Sequence, residues 1–256
     1  MITAGLDLGN KNTKCVIIKD GQIMAKAQVA TGFDQKEAAE KAFAEALSKA
    51  GLKKEDVRHV TATGAGMKQV SFADDDVTDV GTVAKGAVFL FPSARTAADV
   101  GAEEGRGLRC NAEGKIIDFA VNEKCAAGAG AFIEAMGRAL QVSVEEMGPL
   151  SLKSNKKIPM NAQCAVFAES EVVTLVHAKT PKEDIARAVH DAISSRIVSM
   201  IRRVGLENDL VLCGGVAYNA GFIRSMEEAL DVKALVPDQP EFVSAIGAAI
   251  IAAERA

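Results

Sequence analysis

Apolar residues are grouped at the start of the chain into three short segments that predict consecutive β-strands. The segments span residues 2–8, 14–19 and 22–29, and short turns containing Gly or Asp join them. The dipeptide Asp20-Gly21, between the second and third segments, is a strong signal for a two-residue hairpin turn. The chain therefore opens with an antiparallel arrangement of three strands.

The next segments change to helical spacing and then return to a strand. Residues 36–50 repeat apolar side chains at helical intervals and predict a helix that ends at Gly51, a residue typical of helix C-caps. A strand is predicted at residues 59–63, followed by Gly64-Ala65-Gly66 and a second helix. The first third of the chain thus predicts the order strand, strand, strand, helix, strand, helix around a mixed sheet.

The same order of elements starts again near residue 97. A short strand at residues 97–100 precedes strands at 107–111 and 115–120, the last two joined by the turn Glu113-Gly114. Helices are then predicted at residues 131–140, 165–178 and 182–203. A strand at residues 210–213 and a final helix at 219–230 follow them. The pattern indicates an internal duplication.

This duplication predicts an α/β protein of two halves around a cleft. We place the boundary near Phe91-Pro92, which gives an N-terminal half of residues 1–92 and a C-terminal half of residues 93–256. Because no low-complexity linker marks the boundary, we expect the halves to pack closely.

Composition excludes several classes of function. The 256 residues are 48% hydrophobic, and 30 Lys and Arg against 34 Asp and Glu give a net charge of −4, which offers no general basis for binding nucleic acid or an anionic membrane. The longest apolar run, residues 242–253, is shorter than the roughly 20 residues of a membrane span, and the first residues lack the basic region of a signal peptide. We expect a cytoplasmic protein that binds neither nucleic acid nor a membrane.

Two Asp-x-Gly turns are candidates for binding a nucleotide. The glycine lets a backbone approach phosphate, and the aspartate can hold a hydrated Mg²⁺, although such turns are also common in plain hairpins. A carboxylate just after the second turn can orient a water molecule at the γ-phosphate, a role for which we consider Glu104 and its neighbour Glu103; the alternative is that these side chains are simply exposed to solvent. The candidates of the first turn are Asp7, Gly9, Asn10, Asn12, Thr13 and Lys14, and those of the second are Asp99, Gly101, Ala102 and Glu104.

A third glycine element follows the strand at residues 210–213. Gly214, Gly215 and Val216 offer little steric hindrance to a flat adenosine group, and the helix after them is a candidate to present its N-terminus to phosphate. The chain contains neither a Rossmann fingerprint nor a Walker A sequence. The order of the three loops is similar to that of the actin, Hsp70 and sugar-kinase ATPases, and it implies two duplicated RNase H-like halves around a nucleotide cleft.

Cysteine usage points away from an ordinary kinase. The five cysteines are an odd number in a chain expected in the cytosol, which favours free thiols or metal ligands over disulfides. Cys125 and Cys164 each precede a predicted helix, where unpaired N–H groups favour a thiolate. Two thiolates are half of what a [4Fe-4S] cluster needs, so a second chain would complete the set. For a buried cysteine the alternative is a small apolar filler, and we assign that role to Cys15, Cys110 and Cys213.

Five segments together resemble a known ATPase family, that of the ATP-binding subunits of benzoyl-CoA reductase and the activators of 2-hydroxyacyl-CoA dehydratases. The resemblance covers nearly the whole chain, and its two cysteine motifs are the most specific. Asn10 replaces a serine typical of the activators, and Ala102 and Glu104 lie where these have Gly and Asp, so the chain looks closer to the small reductase subunit. The segments are DLGNKNTK from Asp7, DVGAEEGR from Asp99, NEKCAAGAG from Asn122, NAQCAVFAESEV from Asn161 and CGGVAYN from Cys213.

The resemblance implies ATP-driven electron transfer. In such a system Cys125 and Cys164 would ligate a [4Fe-4S] cluster shared between two subunits, and the cofactors would include ATP and Mg²⁺. Reduced ferredoxin or flavodoxin would donate the electron, and catalytic acyl-CoA reductase or dehydratase subunits would accept it. The partner across the cluster would be a related ATP-binding subunit in a benzoyl-CoA reductase, which is our main interpretation, or an identical chain in a dehydratase activator.

Two further classes of function remain as alternatives. A small-molecule kinase of the same fold would use the nucleotide loops and ignore the cysteines, although the chain leaves little room for a dedicated substrate domain. A cluster scaffold or ATP sensor without catalysis is the other. Replacement of Cys125 by alanine separates them, because a kinase would keep phosphotransfer whereas an electron-transfer ATPase would lose iron.

Overall fold

The computed structural model describes residues 1–122, 129–161 and 164–256. The predicted cluster ligand Cys125 lies outside these residues. The described chain forms two compact units. The first unit contains residues 1–95, 110–117 and 241–256, and the second contains residues 96–109 and 118–240. The proposed division into halves at residues 1–92 and 93–256 stays a prediction.

The chain contains both strands and helices, as predicted for an α/β protein. The strands are β1 (Ile2–Leu8), β2 (Asn12–Lys19), β3 (Gln22–Ala30), β4 (His59–Thr63), β5 (Asp75–Asp76), β6 (Thr96–Val100), β7 (Gly105–Cys110), β8 (Ile116–Asn122), β9 (Leu210–Cys213) and β10 (Ala234–Leu235). The helices are α1 (Gln35–Ala50), α2 (Asp79–Leu90), α3 (Ala129–Leu140), α4 (Val144–Ser151), α5 (Ala165–His177), α6 (Lys182–Val204), α7 (Ala220–Leu230) and α8 (Val243–Arg255). Short 3₁₀ turns lie at Lys54–Asp56, Met67–Gln69, Gly215–Tyr218 and Pro240–Phe242.

The two sheets have the same topology, which confirms the predicted duplication. The first has the strand order β3-β2-β1-β4-β5 and the second β8-β7-β6-β9-β10. In each sheet the first two strands of the repeat pair antiparallel, and the first then pairs parallel with the strand that follows the intervening helix or helices. Asp20 and Gly21 both have positive φ, as the predicted hairpin between β2 and β3 requires.

The apolar run near the C-terminus forms α8, which was not among the predicted helices. This helix packs on β1 and on α2 within the first unit. The contact is one of backbone against backbone, because a Cβ atom on Gly5 would lie 2.2 Å from the carbonyl oxygen of Ala245, and one on Gly247 would lie 1.8 Å from that of Thr82. Within the residues that the structure describes, no helix is long and apolar enough to cross a membrane.

Candidate functional site

Each unit holds one of the two predicted aspartates at the carboxyl end of its first strand. Asp7 on β1 and Asp99 on β6 are both buried, at 7% and 8% exposure. In each case a basic residue seven positions later lies directly opposite on the neighbouring antiparallel strand. Lys14 Nζ is 2.8 Å from Asp7 Oδ2, and Arg106 donates from a guanidinium nitrogen 2.7 Å from Asp99 Oδ2. A charge-assisted hydrogen bond thus fixes the aspartate of each Asp-x-Gly turn.

A glycine packs against each aspartate from the adjacent parallel strand. Gly64 follows β4 and Gly214 follows β9, with φ values of +89° and +81°. A Cβ atom on either glycine would lie 2.7 Å from an oxygen of the aspartate in the same unit, and still closer to the carbonyl oxygen of the residue after that aspartate. The two glycines therefore occupy corresponding positions, where both the backbone conformation and the available space exclude a side chain.

The first nucleotide loop candidate is anchored by a threonine outside it. Thr31 donates its hydroxyl to the carbonyl oxygen of Gly9 at 2.7 Å, and its backbone N–H donates to the carbonyl oxygen of Lys11 at 3.0 Å. The hydroxyls of Thr31 and Thr13 are 3.0 Å apart, and both residues are buried. Asn10 is exposed and Asn12 is half-buried. The hydrogen bonds of Thr31 therefore anchor the buried side of the loop, while Asn10 faces solvent.

Replacing Thr31 with valine is expected to loosen this loop. Valine keeps the shape of the side chain but leaves the buried Thr13 hydroxyl without this partner, so we expect the free energy of unfolding to fall by about 1–3 kcal/mol and the KM for ATP to rise. Urea unfolding and ATPase kinetics measure the two effects. Thr31→Ser, which keeps the hydroxyl, is the matched control. Equal losses in the two variants would show that the hydroxyl does not anchor the loop.

The second loop is bonded directly to the start of α3. The N–H of Gly101 donates to the carbonyl oxygen of Glu104 at 2.9 Å and closes the loop as a tight turn. The N–H groups of Gly130 and Ala131 donate to the carbonyl oxygens of Gly101 and Ala102, at 3.1 and 3.0 Å. Two of the N–H groups that a helix leaves free at its N-terminus are therefore taken by the loop itself.

Glu104 and Asp99 share a single cation, Arg106. The guanidinium donates to Asp99 from one terminal nitrogen and to Glu104 from the other. The side chains alone are 12% exposed for Arg106 and 11% exposed for Asp99, and that of Glu104 is partly exposed, at 27%. Arg106 was not among the predicted site residues, although the repeated spacing of Asp7 to Lys14 and Asp99 to Arg106 in the sequence was a signal that pointed to it.

The third loop lies between β9 and a short 3₁₀ turn. Gly215 is exposed and Val216 is buried. The sequence suggested that the N-terminus of the following helix, α7, is offered to phosphate, but the Asn219 side chain accepts hydrogen bonds from the N–H groups of Gly221 and Phe222 at 2.9 and 3.1 Å. This suggestion is therefore wrong for those two amides, because a side-chain cap already satisfies them.

Cys164 differs from the other cysteines that the structure describes. It is the N-cap residue of α5, it is partly exposed, and its side chain makes no capping hydrogen bond. Cys15, Cys110 and Cys213 are buried, as expected for small fillers. Burial raises the pKa of the Cys15 and Cys213 thiols, and the charge of Asp99 raises that of Cys213 further, so both stay protonated at neutral pH.

The partly exposed thiol of Cys164 is suitably placed to be a metal ligand at the surface of the chain. Its sulfur lies at a helix N-terminus, where N–H groups stabilise a negatively charged cluster. Among the described residues, no group of three or more His, Cys, Asp or Glu is arranged to hold a metal ion. A cluster with four cysteine ligands would therefore need thiolates beyond this part of the chain.

Comparison with known proteins gives matches over nearly the full length. The activator of lactoyl-CoA dehydratase from Anaerotignum propionicum is 38% identical over 256 residues, which cover 100% of this chain and 99% of that protein. The 2-hydroxyisocaproyl-CoA dehydratase activator from Clostridioides difficile is 33% identical, with 100% and 96% covered. One of the subunits of benzoyl-CoA reductase from Thauera aromatica is 32% identical over 266 residues, with 99% and 94% covered.

Solved structures agree with these matches. Component A of (R)-2-hydroxyglutaryl-CoA dehydratase from Acidaminococcus fermentans has a TM-score of 0.94 and 35% identity, covering 100% of this chain and 98% of that one. The activator of the 2-hydroxyisocaproyl-CoA dehydratase from Clostridium difficile, with bound ADPNP, has a TM-score of 0.91 and 34% identity, covering 100% and 95%. A ROK family glucokinase from Streptomyces griseus shares the fold alone, at a TM-score of 0.60 and 13% identity, covering 99% and 100%.

The match to a protein family covers nearly the whole chain. Residues 4–252 match the BadF/BadG/BcrA/BcrD ATPase family, a span that includes all three glycine loops and both predicted cluster cysteines. The actin, Hsp70 and sugar-kinase type of fold expected from the order of the loops is confirmed by the activator and kinase structures. The chain therefore belongs to the BadF/BadG/BcrA/BcrD ATPase family.

Proposed function

We propose that this protein is the ATP-dependent activator of a 2-hydroxyacyl-CoA dehydratase. Two identical copies would hold one [4Fe-4S] cluster through Cys125 and Cys164 of each. Support comes from relatives named as dehydratase activators, which are 38% and 33% identical over the whole chain. The benzoyl-CoA reductase interpretation, drawn from Asn10 and residues 102–104, has weaker support: a reductase subunit is 32% identical, whereas three relatives named as dehydratase activators are 33%, 36% and 38% identical.

The residues of the three loops take distinct roles in this proposal. Asp7 and Asp99 would hold Mg²⁺, and Glu104 would accept the proton of the water that attacks the γ-phosphorus as the bond to the ADP oxygen breaks. Lys14 offsets charge at the first loop. The phosphates bind Gly9, Asn10, Asn12, Thr13, Lys14, Gly101 and Ala102, and the adenosine binds Gly214, Gly215 and Val216.

The observation that carries the proposal is the bond between the second loop and α3. The carbonyl groups of Gly101 and Ala102 accept from the first amides of a helix that begins shortly after Cys125 in the sequence. A loop that changes its position with the state of the nucleotide would move the start of this helix with it. Such a link would couple the state of the nucleotide to the start of a helix that follows Cys125 in the sequence.

Cys164 supplies the second part of the argument. A [4Fe-4S] cluster held here would supply storage for one low-potential electron, between reduced ferredoxin or flavodoxin as the donor and the dehydratase as the acceptor. The protein's part is to provide thiolates at the start of a helix, where N–H groups offset the negative charge. The partly exposed position of Cys164 at the N-cap of α5 is compatible with ligands shared with a second chain.

The proposal is tested on the full chain purified without oxygen. We expect about two irons and two sulfides per chain, since one [4Fe-4S] cluster would be shared by two copies. The native mass should be that of a dimer, ATP hydrolysis should be measurable, and ATP should change the visible or electron paramagnetic resonance spectrum of the reduced protein.

Other outcomes would contradict parts of this assignment. An iron-free monomer that gains a cluster only when produced with a related ATP-binding chain would support the reductase interpretation instead. Phosphotransfer to a small molecule that survives Cys125→Ala would support a kinase. A cluster that does not respond to nucleotide would remove the proposed coupling, whatever the oligomeric state.

A further inference from the structure

The two nucleotide loops are not equivalent in charge, although they have the same backbone topology. Two positions before the cation, the first loop has Asn12 and the second has Glu104. The cation itself is Lys14 in the first loop and Arg106 in the second. The first loop thus pairs one carboxylate with one ammonium group, whereas the second pairs two carboxylates with one guanidinium.

The guanidinium has a property that the ammonium lacks. It is planar, and its nitrogens donate in fixed directions, so it can hold two carboxylates in a defined relative orientation. Here one terminal nitrogen binds Asp99 Oδ2 at 2.7 Å and the other binds Glu104 Oε2. The other oxygen of Asp99 lies beside Gly214. Asp99 is therefore hydrogen-bonded through one oxygen and closely packed at the other, and it serves as the anchor from which Arg106 extends to Glu104.

Glu104 requires such a support. Its side chain has several rotatable bonds and is partly exposed, and a carboxylate near a second one is repelled by it unless a cation lies between. A general base must be held within hydrogen-bond distance of the water it activates, and small displacements cost a large part of the rate. The orientation of Glu104 therefore depends on the group that binds it.

We propose that Arg106 is a positioning residue for ATP hydrolysis, which holds Glu104 in the orientation that activates the attacking water. The inference rests on the role proposed above for Glu104. Arg106 acts through that carboxylate and not by binding phosphate. Its effect should accordingly fall on kcat, with little change in the KM for ATP.

A double-mutant cycle on the full-length protein tests this role. Arg106→Lys keeps one charged contact, as Lys14 makes with Asp7, but cannot hold both carboxylates. We expect its kcat for phosphate release to fall about 10-fold or more, and that of Glu104→Gln to fall about 100-fold. In the double variant, kcat should equal that of Glu104→Gln alone, because Arg106 has nothing left to position.

The control variant lies on the same strand. Arg109→Lys is the same substitution at a half-exposed arginine of β7, whose carboxylate partner, Glu207, is 3.9 Å away. It should leave kcat and KM unchanged. Thermal unfolding of all variants separates a loss of fold from a loss of rate, and Arg106→Gln, which still donates hydrogen bonds, replaces Arg106→Lys if the latter does not fold.

The outcomes separate this proposal from the proposed function. Losses in kcat that multiply in the double variant, or a rise in KM with unchanged kcat, would overturn the positioning role while ATP hydrolysis by the parent protein stands. A normal kcat in Glu104→Gln would likewise overturn it. A parent protein that hydrolyses no ATP would instead contradict the proposed function itself.

Discussion

Gly214→Ala is expected to abolish ATP hydrolysis and to lower the free energy of unfolding by about 3–5 kcal/mol. A Cβ atom at this position would lie 2.4 Å from the carbonyl oxygen of Val100 and 2.7 Å from Asp99 Oδ1. Both distances are shorter than the non-bonded contacts that Cβ atoms make in proteins. The φ of +81° adds backbone strain for any residue with a side chain. To fit the methyl group, β6 and β9 must separate, which displaces the Asp99 carboxylate and with it Arg106.

Gly205→Ala is the matched control for this prediction. Gly205 has the same φ of +81°, but a Cβ atom there would meet only Arg109, at 3.9 Å. This variant isolates the backbone strain, about 1–2 kcal/mol, from the overlap with Asp99, and its ATPase rate should be near that of the parent. Urea unfolding and phosphate release measure both variants. Equal losses of stability, or an active Gly214→Ala variant, would contradict a close approach at this site.

Cys164→Ala is expected to remove the cluster while the fold remains. Because the Cys164 side chain is partly exposed and makes no capping hydrogen bond, its loss should change the free energy of unfolding by less than about 1 kcal/mol. If Cys164 is one of four ligands shared by two identical chains, iron should fall below about a tenth of the parent value, since the variant leaves two of the four thiolates for the cluster. Iron and sulfide analysis and the visible spectrum provide the measurement.

A buried cysteine supplies the control for this loss. Cys15→Ala removes a thiol that burial keeps protonated, and it should cost stability through a small cavity while iron stays at the parent value. Iron retained in Cys164→Ala would assign the ligand role elsewhere. Iron lost equally in both variants would show that the measurement reports the fold and not the ligand.

Much of the fold could be read from short stretches of the chain. The strands Ile2–Leu8, His59–Thr63 and Leu210–Cys213 were predicted with their observed bounds, because a buried strand bounded by turn residues is a local pattern. Gly51 ends α1 in the left-handed conformation, as predicted from its identity. Helix α4, which was not predicted, also has a local signal in the sequence, the capping box formed by Ser143 and Glu146.

Pairings between distant segments could not be read in the same way. The segment that forms α8 was considered only as an apolar run, because its partners β1 and α2 lie more than half the chain away and its composition of Ala, Ile and Gly suits several environments. The anchor of the first loop, Thr31, is likewise separated from Gly9 by two strands. Such contacts depend on how the sheet is assembled, which no short window of sequence reports.

The sequence by itself determined the repeated order of strands and helices, the two Asp-x-Gly turns and the family to which the motifs belong, because each is encoded in residues that are neighbours along the chain. Tertiary structure alone decided that Arg106 binds both Asp99 and Glu104, that Gly64 and Gly214 pack against the two aspartates, and that α3 begins on the second loop. These features arise from strand register, from side-chain hydrogen bonds and from close packing of the backbone. Their energies depend on burial and direction, which exist only once the sheet has formed.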